Sequence, residues 1–454
     1  MQVTETARDG LKRTLEVVVG QAELGERFSV RLDELKDRVQ LKGFRKGKVP
    51  MPHLKKLYGK AVMQEVMEQA VSDTSVKAIK DRNERPAQQP QIELVGIEEE
   101  GALDRLFNGE ADLSYKMSFE VLPPIPLTDL SALKLEQLVV DVEDEDINSA
   151  LASLAERNTT YEPEEGRAAG DGDLVTMDFV GRVDGEAFEG GSAEGQSLVL
   201  GNKQFIPGFE EGLAGMKAGD NRVITATFPE TYPVPTLAGK AADFDVTVKA
   251  VARPVKPEID DAFAAGLGAE NLEKLKELVK AQLEREYAQT ARMKLKREIL
   301  DALDKEHTFE LPASLVDFEF GNMWQQLEKE LKSSNKTFAD EGKTEEEVRT
   351  EYRSIAERRV RLGLVIGEIG EKNKLQISQD EMRQALVEQA RRFPGQEKMV
   401  YEYYEKTPGA LAELRAPIFE DKVIDFIIAE AKPVEQKVTK DELIKRVEEA
   451  AAEG

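Results

Sequence analysis

The sequence predicts an α+β multidomain protein: an amino-terminal α+β domain, a small antiparallel sheet domain and an extended all-helical carboxyl-terminal domain. Three observations predict it. The 454 residues exceed what one ordinary hydrophobic core organises. Glycines and short alternating runs concentrate in the middle of the chain, and beyond about residue 255 glycine thins while apolar residues recur at helical spacing. The expected divisions are 1–115, a linker with a connecting helix at 116–159, the sheet domain at 160–254 and the helical domain at 255–454.

In the first domain Leu15–Val19 reads as a β-branched strand, and Leu24, Phe28, Leu32, Leu35 and Val39 then fall on one helical face. A second helix is predicted over 63–80, followed by strands near 92–94 and 113–121. Pro123, Pro124 and Pro126 close the unit. The acidic run 141–146 precedes Ile147, Leu151 and Leu154, as at the start of a helix, where negative charge meets the positive dipole end. That helix is expected to lie in a solvated linker.

In the middle domain Val175, Met177 and Phe179 alternate with polar residues, as do Phe244, Val246 and Val248, and Asp184-Gly185 marks a hairpin turn. Helical periodicity then begins at Leu272 and is expected to reach Leu303. Pro312 stands where a helix starts, and Ser378–Glu381 and Thr439–Glu442 have capping-box spacing.

Composition narrows the chemistry. With 40% hydrophobic and 33% charged residues and a mean hydropathy of -0.46, the chain has material for packed cores and a heavily solvated surface. The absence of cysteine removes disulfides, thiolate nucleophiles and the common zinc sites. Two histidines, His53 and His307, stand apart without a ligand pattern, so neither a metal nor a cofactor is expected. No run approaches a membrane span, and the first residues lack the basic and apolar segments of an export signal. A cytoplasmic protein with no membrane partner is expected. The net charge of -25 argues against general DNA or RNA binding.

One window reverses that charge. Residues 41–60 contain seven Lys or Arg and no Asp or Glu, and a partner within a Debye length of about 8 Å feels this patch more than the distant net charge. Within it, Gly43-Phe44-Arg45-Lys46-Gly47-Lys48-Val49-Pro50 brackets an aromatic and two cations between glycines. Chemistry alone leaves a solvated turn and a docking tip about equally open.

These eight residues resemble the ribosome-docking signature of bacterial trigger factors. The resemblance implies a tip of Phe44, Arg45 and Lys46, shaped by Gly43, Gly47, Lys48 and Pro50, that contacts a ribosomal protein and RNA at the nascent-chain exit tunnel. It likewise implies an ATP-independent chaperone that binds unfolded nascent polypeptides, and it leaves a homodimer away from the ribosome open.

The middle domain repeats aromatic segments: Asp178–Gly181, Phe188–Gly191, Gln204–Glu210, Phe228–Tyr232 and Asp243–Asp245. Alone, these rings read more readily as core than as a site. Their order and spacing resemble the FKBP-type peptidyl-prolyl isomerases, which implies an FKBP-like antiparallel sheet domain whose proline pocket is lined by Phe179, Phe205, Phe209, Tyr232 and Phe244. Phe209 would be its floor, the Ile206 amide would bond a substrate carbonyl, and Glu189 would supply a polar contact. Glu189 stands where an Asp is common in that family, and Phe209 where a Trp is common.

For the helical domain the resemblance implies a cradle, with candidate surfaces at Leu311, Leu315, Val316, Phe318, Phe320, Met323 and Trp324, at 362–366, and at Val423, Ile424, Phe426, Ile427 and Ile428. Helical spacing makes an internal core the better expectation for most of them. Two other readings stay open: a free cytosolic FKBP-type isomerase with a helical dimerisation extension, and a scaffold that binds proline segments without catalysis.

Overall fold

The computed structural model describes the chain except residues 40, 42–43, 45–47, 99–100, 235, 335, 408 and 453–454, and except the side chains of 339, 341, 451 and 452. In chain order the elements are β1 (Gln2–Asp9), β2 (Lys12–Val19), α1 (Gln21–Arg38), α2 (Met51–Asp81), β3 (Gln91–Leu94), α3 (Ala102–Phe107), β4 (Leu113–Glu120), β5 (Glu136–Val139) and α4 (Asp144–Arg157). Then come β6 (Thr160–Pro163), β7 (Leu174–Val183), β8 (Glu186–Val199), α5 (Phe209–Leu213), β9 (Asn221–Thr227), β10 (Ala241–Val255), α6 (Asp261–Gly266) and α7 (Leu272–Glu306). The chain continues through α8 (Ala313–Ser334), α9 (Glu345–Lys372), α10 (Gln379–Arg391), α11 (Glu397–Lys406), α12 (Ala410–Ala431), β11 (Val434–Lys437) and α13 (Lys440–Ala452). Two compact units result, 1–136 with 294–434, and 137–293 with 435–454.

The first unit opens with an antiparallel sheet in the order β1-β2-β4-β3. Leu15, Val17 and Val19 of β2 and Leu113, Tyr115, Met117 and Phe119 of β4 are buried at every second position, as a half-buried strand requires. Leu24, Phe28 and Leu32 of α1 join Leu54, Val62, Met63, Val66 and Ala70 of α2 in the core beside it. Sequence periodicity missed β1. Its residues are polar and largely exposed, so its pairing is set by the open edge of β2 and a turn at Gly10, whose φ is +51°.

Tyr115 is fully buried, and its hydroxyl lies 2.8 Å from the Thr74 hydroxyl and 2.9 Å from that of Ser75. Tyr115→Phe leaves buried hydroxyls short of a partner, and is expected to cost about 1–2 kcal/mol. Amide exchange of β2 and β4, if it opens with this core, should accelerate by roughly five- to thirtyfold; unchanged protection would contradict that.

The same unit contains a helical core of Leu295, Ile299 and Leu303 (α7), Leu362, Val365, Ile366 and Ile369 (α9), and Val423, Ile424 and Ile427 (α12). Gly370 sits where the Phe419 ring occupies the space of a side chain. The internal core that helical spacing favours is found for Leu362, Val365, Ile366, Val423, Ile424, Ile427, Val316 and Trp324, which are buried and so leave the candidate client surface, because apolar stripes on neighbouring helices face one another. Trp324 stacks with Phe320 and with Phe338, and the Arg349 guanidinium lies 4.3 Å from its ring. His307 is buried too, its Nδ1 2.8 Å from the Leu303 carbonyl oxygen.

The second unit holds the sheet β6-β10-β7-β8, with β9 also paired to β10, all antiparallel. The β7–β8 turn forms at Asp184 (φ 53°) and Gly185 (φ 85°), the left-handed pair a tight hairpin needs. The acidic helix α4 is no solvated linker. Its Ile147, Leu151 and Ala155 pack with Phe263, Ala264, Leu275 and Val279, and the Asp146 carboxylate accepts from the Glu143 amide at 3.3 Å at its first turn.

Candidate functional site

Strand alternation places Phe179 on β7 and Phe244 on β10 with their rings on the core side of the sheet. Gly181 makes room for this. A side-chain carbon there would lie 2.7 Å from the Phe244 ring and 2.9 Å from that of Phe188. Between β8 and α5 the chain runs Phe205-Ile206-Pro207-Gly208-Phe209, and the Phe209 amide donates to the Ile206 carbonyl at 3.1 Å. Proline second and a glycine of φ 91° third are the residues a type II turn demands. The turn delivers Phe209 into the core as the first residue of α5.

The rings meet. Phe209 lies 5.0 Å from Phe205 in a near-parallel stack, 5.1 Å from Phe244 and 5.8 Å from Phe179 in edge contacts. Phe228 lies 4.7 Å from Tyr232 and 6.4 Å from Phe244. Of the residues expected at the site, Phe179, Phe205, Ile206, Phe209, Tyr232 and Phe244 thus share one apolar cluster, together with Phe188 and Phe228. Glu189 stands exposed on β8, and among the described residues its side chain has neither a hydrogen bond nor an ion pair. Phe209 has 0% exposure.

Sequence reasoning missed Glu210. One carboxylate oxygen accepts from the amides of Gly201 (3.0 Å) and Lys203 (3.2 Å), the other from those of Gln204 (2.8 Å) and Phe205 (3.2 Å). Burial pushes its pKa up, but the four amide bonds outweigh burial and hold it below the usual carboxylate range. This gathers the loop by its backbone. The next amide, that of Ile206, has no acceptor among the described residues, and its carbonyl is held in the turn. The signal was the acidic residue directly after Phe209, but nothing local says that it turns back onto the loop.

In the amino-terminal window Gly43, Arg45, Lys46 and Gly47 lie outside the described residues. The Phe44 amide donates to the Leu41 carbonyl at 3.1 Å, and its ring is 37% exposed, 5.4 Å from the His53 ring. The ring is outside the hydrophobic core. Val49 is buried and anchors the loop's end, while Lys48 and Pro50 are exposed, Pro50 as the N-cap of α2.

Comparison with known proteins matches these parts. Residues 165–249 match the family model for FKBP-type peptidyl-prolyl cis-trans isomerase, residues 1–154 that for bacterial trigger factor protein, and residues 271–429 that for the trigger factor C-terminus. Trigger factor of Parvibaculum lavamentivorans is 52% identical over 444 residues, 98% of this chain and 86% of that one. Trigger factor of Xanthobacter autotrophicus is 50% identical over 449 residues, 99% of each. A solved structure concerned with substrate recognition by the trigger factor chaperone shares the fold with a TM-score of 0.55, at 21% identity, over 95% of this chain and all of that one. The chain belongs to the bacterial trigger factor family, and it is a chaperone with a built-in FKBP-type peptidyl-prolyl isomerase.

Proposed function

We propose that this chaperone works without ATP in the cytoplasm, docked by residues 41–60 at the ribosomal exit tunnel, where it holds nascent polypeptides and isomerises their X-Pro bonds. The observation that carries the docking is the charge inversion: seven cations and no acid in a window of a chain with net charge -25, tipped by a half-exposed phenyl ring. Phe44 is the apolar anchor, Arg45 and Lys46 orient it, and Gly43, Gly47, Lys48 and Pro50 shape the loop.

Isomerisation needs no nucleophile or metal, because the barrier of about 18–20 kcal/mol is lost amide resonance. The ring cluster favours the less polar twisted amide, and the acceptor-free Ile206 amide donates to the substrate carbonyl. Exposed apolar side chains of the helical region, among them Phe318, Phe393, Met399, Tyr403 and Leu411, offer nascent chains an unspecific surface.

The docking is tested by co-sedimentation with purified ribosomes. Alanine at Phe44, Arg45 and Lys46 together should remove binding that the unaltered chain shows and that added salt weakens. Retained binding in the triple variant sinks the docking reading.

A further inference from the structure

The basic loop continues onto a helix face. His53, Lys56, Leu57 and Lys60 fall at i, i+3, i+4 and i+7 of α2, so they share one stripe, and all four are exposed. Leu54 and Val62 face the other way, into the core. Phe44 touches the stripe at its start, through the His53 ring, and one turn further on Leu57 is 54% exposed.

Cations flank these two apolar groups. Lys48 and Lys56 have no acidic partner among the described residues, and Lys60 reaches Asp104 at 2.9 Å in a pair open to solvent on both sides, which holds it only weakly. Lys55 is different: its ammonium lies 5.6 Å from the Phe28 ring of α1.

We infer that Leu57, with Phe44, is a second apolar anchor of the docking surface, and that this stripe seats on a protein whose apolar patch is rimmed by carboxylates. The inference rests on the docking reading above. The choice of protein over RNA follows from the chemistry. Phosphates satisfy lysines but give an exposed leucine nothing to enter, whereas protein interfaces are built as an apolar centre within a polar rim.

The test is equilibrium binding of the full-length chain to purified ribosomes over a range of salt. Leu57→Ala should weaken binding about tenfold, as expected of an interface anchor, without changing its salt dependence. Leu57→Met should bind as the unaltered chain does, and Lys56→Glu should weaken binding and change the salt dependence. An unchanged unfolding midpoint in Leu57→Ala shows that the fold is intact. Unaltered binding by Leu57→Ala overturns the inference, as does an outcome in which only Lys56→Glu has an effect, which would place RNA on the stripe. The triple loop variant separates the two readings: if it binds normally, docking itself fails, whereas if it alone fails to bind, docking stands and the stripe does not.

Discussion

Phe209→Ala should reduce isomerisation of a short X-Pro peptide by at least about a hundredfold, while costing the sheet domain roughly 3–5 kcal/mol. The ring has no exposure and contacts Phe179, Phe205 and Phe244 at once, so its removal opens a cavity and withdraws the proposed floor together. Phe209→Leu separates the two effects. Leucine leaves a smaller cavity than alanine and should cost less, on the order of 1–3 kcal/mol, so the domain stays folded, yet the aromatic face is gone. Activity should then fall with the fold kept. Full activity in the leucine variant would remove Phe209 from the site.

Glu210→Gln should lower kcat/KM by about ten- to a hundredfold, because the loop carrying Phe205 and Ile206 is held by the two oxygens of one carboxylate. An amide keeps one acceptor and turns two N–H donors toward donors. Breaking this set should cost on the order of 2–4 kcal/mol. The sign with pH follows from the lowered folded pKa: the contribution is present above the ordinary value of 4.5 and is lost as pH falls through the folded one. Isomerase activity of the unaltered chain should therefore show an acid limb that the glutamine variant lacks. An identical limb in both would assign it to another group.

Much of the fold was legible because the signals were local. Alternation in Val175–Phe179 and Phe244–Val248, the Asp184-Gly185 turn and the Ser378–Glu381 box each fix a few dihedrals or one first turn, and α10 does begin after Ser378 with its hydroxyl accepting from Glu381. The ring segments of the site were legible in the same way, since each lies within a short run. What was illegible needed a partner far along the chain. β1 has no pattern of its own, and β5 pairs with β11 nearly 300 residues later. The apolar runs at 362–366 and 423–428 looked alike as surface or core until α7, α9 and α12 met.

By itself the sequence determined the charge inversion at 41–60, the supply of aromatic rings in the middle domain, the helix starts after Pro312, Ser378 and Thr439 and the turn at Asp184-Gly185, because these depend on residue type and spacing alone, whereas the start of α2 at Met51 lies twelve residues before the predicted one. Only the tertiary structure decided that Glu210 turns back to four amides, that Phe205 stacks on Phe209, and that Leu57 continues the face begun by Phe44. Each is a meeting of groups whose separation in space is set by packing, and spacing along the chain does not encode it.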